Sequence, residues 1–323
     1  MPRLVSVGNV IVDVVLRIDA IPSPGADTIA HSSVMTVGGE YNALAAARRD
    51  GLECLYAGRL GTGRFADMAR DALAGSGIAV TGDPVPDLDT GYAIVLVDDS
   101  AERTFVTSVG AEGRLTPAHL GDVVVRDDDV VLVSGYGLAH PANAVALPPW
   151  LESLSPSVRV VFDPSPLVGT LPADALDRVL RRTDVLTANA REARLMTGDP
   201  LDGSPAAAAL TLVGRVRAGG AVVVRDGPDG CWVSGSGAGG DTPAAHVAGY
   251  PVDAVDTTGA GDTHTGVVCA TLARGASIVT AVQRGSAAAA IAVTRHGPAV
   301  GPTAVEIDAL VASTLPDHPV VHP

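Results

Sequence analysis

Residues 256–266 read D-T-T-G-A-G-D-T-H-T-G, and no other stretch constrains the chain as strongly. Gly259 and Gly261 allow a tight backbone turn that aims successive N–H groups into one concavity. The run after Asp262, T-H-T-G-V-V-C-A-T-L-A, is small and apolar and predicts a helix. The concavity then sits at a helix N-terminus, where unpaired donors and the dipole favour an anion. Asp262 places a carboxylate in that anion pocket. It is either an ordinary N-cap of a glycine-rich turn or a base that takes a proton from an attacking hydroxyl.

The rest of the chain supplies an α/β frame. Leu4 to Val7, Leu55 to Leu60, Val130–Ser134, Val158–Phe162, Val185–Thr187 and Ala221–Val224 read as short apolar strands. Helical stretches at Asn42–Asp50, Phe65–Ala74, 171–182, 190–197 and 205–218 alternate with them. That rhythm predicts a mostly parallel central sheet with helices on both faces. Val10–Ile18, Ile29–Thr36, Gly91–Val97 and Arg103–Ser108 break it, the last two joined by D-D-S-A-E as a hairpin. They predict a small β-sheet lid, over about 10–36 and 88–110, growing from the main body. A lid keeps water from a transferring phosphoryl group. Residues 1–315 read as one domain, Gly235 to Gly240 as a flexible loop, and 316–323 as a disordered tail.

Composition removes several classes. The net charge is −14, and all 22 basic residues are arginine. The acidic balance argues against nucleic-acid or anionic-membrane partners. The absence of lysine excludes a lysine nucleophile, a Schiff base and a Walker-type lysine, so a phosphate clamp must use arginine, backbone N–H or metal. Cys54, Cys231 and Cys269 are too dispersed for a zinc site or a disulfide framework. With no signal-like h-region and no membrane-length apolar run, a cytoplasmic protein is expected.

Other residues could carry chemistry. Asn189 and Glu192 follow the strand T-D-V-L-T, and ligands bind beyond the carboxyl ends of strands in open sheets. Oxygen ligands at that spacing suit Mg²⁺, but the pair is also a capping-box pattern. Arg225 ends a strand within reach of a phosphate, although P-D-G nearby is a turn signal in its own right. Asp13 lies inside the apolar stretch V-I-V-D-V-V-L. It either hydrogen-bonds a polyhydroxylated substrate or faces water from an edge strand.

These segments together resemble the ribokinase-like (PfkB) carbohydrate kinases. D-T-T-G-A-G-D resembles the family's C-terminal signature, V-G-G-E-Y-N-A at 37–43 its glycine pair followed by Asn, and N-A-R-E at 189–192 its N-x-x-E motif. Ala287 to Gly297 resembles its last helix and turn, and Arg225–Gly230 its nucleotide-site turn. The resemblance implies a three-layer ribokinase-like fold and ATP-dependent phosphorylation of a sugar hydroxyl. It implies Asp262 as the base, with Gly259, Ala260 and Gly261 forming the anion hole. Asp13, Gly39 and Asn42 would hold the sugar, and Arg103 could reach the acceptor from the lid. Arg225, Gly227, Gly230 and Ser286 would contact the nucleotide. Asn189 and Glu192 would organise Mg²⁺ largely through water, and Asp256 would ligate a monovalent cation, K⁺. A homodimer formed through the lid is also expected.

Several positions depart from ribokinase itself: Ile11 where Asn is expected, Glu40 where a small or basic residue is usual, Gly135-Tyr136 near an expected carboxylate, and His264 for an aromatic. They leave the phosphoryl-transfer end intact and put ribose in doubt. A neutral sugar is the first expectation. A nucleoside kinase and a catalytically silent sugar-binding or regulatory protein on the same fold are the alternatives.

Overall fold

The computed structural model describes residues 1–99, 103–198, 203–235 and 244–313. The expected 235–240 loop lies largely outside the described residues, as do the 316–323 tail and the end of the 98–102 connection. Among the described residues the strands are β1 (Arg3–Ser6), β2 (Val10–Arg17), β3 (Ser32–Gly39), β4 (Glu53–Tyr56), β5 (Ala79–Val80), β6 (Tyr92–Val97) and β7 (Arg103–Ser108). They continue with β8 (Val130–Ser134), β9 (Arg159–Asp163), β10 (Val185–Asn189), β11 (Ala221–Arg225), β12 (Gly230–Gly235) and β13 (Ala245–Ala248).

Nine strands form one sheet in the order β13-β12-β11-β10-β9-β8-β1-β4-β5. It is parallel from β5 to β11, and β12 and β13 add antiparallel strands at one edge. Alternate strand residues face opposite sides. Val5, Val131 and Val133 therefore enter one helix-covered core and Leu4, Val130 and Leu132 the other. Burial on both faces explains the near-continuous apolar runs of these strands. The chain leaves β1 toward β4 on one side and later builds β8 to β11 on the other. A crevice therefore opens beyond the carboxyl ends of β1 and β8, the usual ligand position in such sheets.

The second sheet has the order β3-β2-β6-β7. Antiparallel pairing of β2 with β3, from Val10↔Gly39 to Arg17↔Ser32, carries β3 three residues beyond the expected Thr36. The glycine pair thus belongs to the strand, and the next helix starts at Glu40 rather than Asn42. The expected 171–182 helix runs Ala173–Arg182, and that over 205–218 stops at Leu212 before a 3₁₀ turn. At the base of the small sheet, Val10 and Val12 join the main core. Its outer strand β7 is exposed at every position.

Candidate active site

Two helix N-termini meet in the crevice. Gly39 caps the helix Glu40–Arg49 at φ 65°. A Cβ there would collide with the Asn9 carbonyl oxygen, so the position needs glycine twice over. Gly259 caps the helix Ala260–Ala273 at φ 72°, with the Pro298 carbonyl where a Cβ would lie. The two helices approach closely because Gly266 leaves room for the Ala43 carbonyl. Their first turns are joined by Asn42 Nδ2 donating to Asp262 Oδ2 at 2.8 Å. The Asn42 Oδ1 is buried and has no protein donor. Asp262 is the third residue of its helix, so the N–H groups of Gly261 and Asp262 precede the first intrahelical bond, from Thr263 to Gly259, while the Ala260 N–H makes a 3.3 Å turn bond to the Thr257 carbonyl.

Asp13, from β2 of the small sheet, faces Asp262. Burial, then the Asp262 charge, pushes its carboxyl up to about 6. Asp262 is also pushed up to about 6, by burial and by Asp163, with the Asn42 hydrogen bond and Arg225 opposing. A base near 6 is ionised at neutral pH yet retains appreciable proton affinity, which suits general-base work.

Asn189 and Glu192 close a complete capping box. Asn189 Oδ1 accepts the Glu192 N–H at 2.9 Å, and Glu192 Oε2 accepts the Asn189 N–H at 2.8 Å. The Glu192 carboxyl is also shifted by its neighbours. Burial and Asp163 raise it to about 7 against the pull of Arg225 and Asn189. Arg225, expected at a phosphate, instead lies among protein oxygens. It donates to Asp163 Oδ2 at 3.1 Å, Thr265 Oγ1 at 2.9 Å and the Gly261 carbonyl at 3.3 Å, and its other Nη stands 3.7 Å from Glu192. One guanidinium thus faces the Asp163, Glu192 and Asp262 carboxyl groups. That excess of hard oxygen donors fits a divalent cation such as Mg²⁺, which would be held by Asn189 and Glu192.

Gly227 and Gly230 form the turn between β11 and β12, at φ 58° and 101°. A Cβ at Gly230 would meet the Val247 carbonyl. Ser286 sits inside the helix Ile278–Val293, with its hydroxyl 3.6 Å from Cys231 Sγ. His264, also against Cys231, is pushed down to about 3 by burial and Arg225, so it is neutral and serves as packing. Cys54, Cys231 and Cys269 are free and buried. Arg103 reaches from β7 to Asp256 Oδ1 at 2.9 Å. That aspartate also accepts from the Thr258 N–H and hydroxyl and from the Gly297 N–H. The two residues proposed for the acceptor and for a monovalent cation are thus paired with one another.

Asp163 escaped sequence reasoning, and Glu40 and Tyr136 stood out there only as departures from ribokinase. Asp163 ends β9 as Asn189 ends β10 and Arg225 ends β11, and this shared strand-end position was the available signal. Glu40 threads under Gly8 and accepts from the Ser6 hydroxyl at 3.2 Å; burial, then Asp262 and Asp163, pushes it up to about 8. The Tyr136 phenol is pushed up to about 12 by burial and by the charges of Asp262, Asp163, Glu192 and Asp13, which places a neutral hydroxyl among all four.

Residues 1–304 match the pfkB family of carbohydrate kinases. The chain is 31% identical over 305 residues to the uncharacterized sugar kinase YegV of Escherichia coli, covering 93% of this chain and 91% of that protein. The ribokinase of Giardia lamblia superposes with a TM-score of 0.85 at 23% identity, covering 97% of this chain and 99% of that one. An Arabidopsis thaliana ribokinase complexed with ribose and ATP superposes with a TM-score of 0.76 at 23% identity, covering 96% and 98%. The architecture is that of the ribokinases, and the class it defines with the family match is a sugar kinase. The chain belongs to the pfkB family of carbohydrate kinases.

Proposed function

We propose that this protein transfers the γ-phosphoryl group of ATP to a hydroxyl of a small neutral sugar, with Asp262 as the general base. The observation that carries this reading is the 2.8 Å bond from Asn42 to Asp262 at a glycine-capped helix start. It holds a half-buried carboxylate beside the N–H groups of the first helical turn, opposite Asp13. Asp262 accepts the proton of the attacking hydroxyl. The N–H groups of Ala260, Gly261 and Asp262 stabilise the charge developing on the transferred group. The unpartnered Asn42 Oδ1 and the Asp13 carboxylate accept from sugar hydroxyls. Asn189 and Glu192 would hold Mg²⁺, which would supply positive charge against the phosphates. Arg225 keeps Asp163 and Glu192 in place, a positioning role. Asp13 and Asp262 put two carboxylates on the acceptor side, which disfavours an anionic acceptor.

The small sheet acts as the lid of one kinase domain spanning residues 1–315, in a cytoplasmic homodimer. Val14, Leu16, Met35, Ile94, Leu96 and Val106 share one face by register, opposite Asp13. Met35 and Val106 are exposed there, and pairing two lids would cover them. Light scattering should give twice the 32.5 kDa chain mass, and a monomeric mass refutes the dimer. The catalytic reading is tested by a coupled ADP-release screen over pentoses, hexoses, keto-acid sugars, polyols and nucleosides. Release with a neutral sugar is expected; folded protein that turns over none of them refutes it.

A further inference from the structure

The resemblance assigns a monovalent cation to Asp256, and the structure disagrees. A cation needs free oxygen lone pairs, and four donors already point at the Asp256 carboxylate, three of them at Oδ1. Its Oδ1 accepts from the Thr258 N–H at 2.9 Å, the Thr258 hydroxyl at 2.6 Å and Arg103 Nη2 at 2.9 Å. Its Oδ2 accepts from the Gly297 N–H at 3.1 Å. Carbonyls of the neighbouring helix end are committed as well. Val293 accepts the N–H groups of Val255 and Asp256 at 2.7 and 3.0 Å, and Ile291 accepts the Thr294 N–H and hydroxyl. The positive charge at this loop is the guanidinium of Arg103, which comes from the outermost strand of the small sheet.

We propose that Arg103 takes the place of the monovalent cation in this chain, so that phosphoryl transfer needs no potassium and the anion-hole loop is ordered by a residue of the lid. The loop 256–259 leads directly into the Ala260–Ala273 helix. Neutralising Asp256 therefore steadies the turn that presents the N–H groups of Ala260 and Gly261. The source of that charge matters, because a free ion orders the loop whatever the lid does. An arginine on β7 does so only while the lid lies against the body. The anion hole is thereby completed by lid closure itself. Burial works against the Asp256 charge, but the hydrogen bonds from Thr258 and Gly297 and the Arg103 charge hold its carboxyl below the usual range, so Asp256 is ionised at neutral pH.

The inference rests on the kinase reading, and its test separates the two. Wild-type turnover and MgATP affinity by isothermal titration calorimetry are compared in potassium, sodium and tetramethylammonium chloride at equal ionic strength. Both should agree within about twofold, since only specific occupancy could distinguish salts that screen alike. Arg103→Ala should lose about tenfold or more in MgATP affinity and turnover, as expected for a lost charge-assisted bond, and should gain a response to added potassium or guanidinium. Arg103→Lys, which keeps the charge, should restore cation indifference. Potassium-specific activation of the wild type by about tenfold or more overturns the inference, as does an Arg103→Ala variant that matches wild type in every salt. If no acceptor is phosphorylated, the catalytic reading fails, while the MgATP titrations still decide the role of Arg103.

Discussion

The two sheets use the same kinds of residue to opposite ends. The large sheet is covered on both faces, and Phe162, Val161 and Leu186 are wholly buried in it. It fixes the strand ends that carry Asp163, Asn189 and Arg225. The small sheet buries its base and a small cluster of Ala93, Val95 and Val97, and leaves Phe105 and Val106 about three-fifths exposed. It contributes Asp13 and Arg103 from strands whose own core is that small cluster. In the proposed reaction, the groups of the phosphoryl-transfer end are thus set by a both-sides-packed frame. Those proposed to meet the acceptor or latch the loop are carried by the less buried sheet.

The sharpest way to break this comparison is at Asp262, where the rigid frame meets the reacting hydroxyl. Asp262→Asn should cut turnover by about 10²–10⁴ while leaving nucleotide affinity nearly intact. Wild-type turnover should fall as pH drops below about 6, the value to which Asp262 is raised. A variant within about threefold of wild type removes Asp262 from the mechanism.

Stability should divide between the sheets in the same way. Phe162→Ala, in the buried frame, should cost about 3–5 kcal/mol in urea unfolding. Val106→Ser, on the exposed face of the small sheet, should shift monomer stability by less than about 0.5 kcal/mol. Similar losses from both would show that the small sheet is as much a part of the core as the large one.

Glu192→Gln probes the frame through the metal. The Mg²⁺ concentration needed for half-maximal activity should rise by roughly 10–100-fold, the usual cost of losing a group that orders metal-bound water. An unchanged Mg²⁺ titration would leave Glu192 as a helix cap alone.

The smallest effect concerns pH and stability. Glu40 is raised from 4.5 to about 8 on folding, so the folded chain holds a proton that the unfolded chain releases. Its contribution is complete below about pH 4.5 and is lost as pH rises toward 8. Glu40→Gln should therefore flatten the decline in melting temperature between pH 5 and 8 and raise it at pH 8, by about 2–4 °C per kcal/mol gained. A parallel decline in both proteins would show that Glu40 is ionised at little cost.

Much of this was legible from sequence because the signals were local. Glycine at positive φ, apolar strand runs and an Ala-rich helix after a glycine pair depend on neighbouring residues. They located the alternating frame, the small sheet, Gly39, Asn42 and the Asp262 turn. The capping box at Asn189 and Glu192 was equally local, and it formed. The electrostatics were not local. Which carboxylates would claim Arg225, how many acids would share the crevice with Asp262, and that Arg103 would meet Asp256 across 153 positions of chain depend on strand order and on the approach of two helices through Gly266. Sequence by itself determined the elements, the glycine-rich turn before Asp262 and the family's motif order. Only the tertiary structure decided the partners of the charges, because a charge pairs with whatever the fold brings within a few ångströms, however distant along the chain.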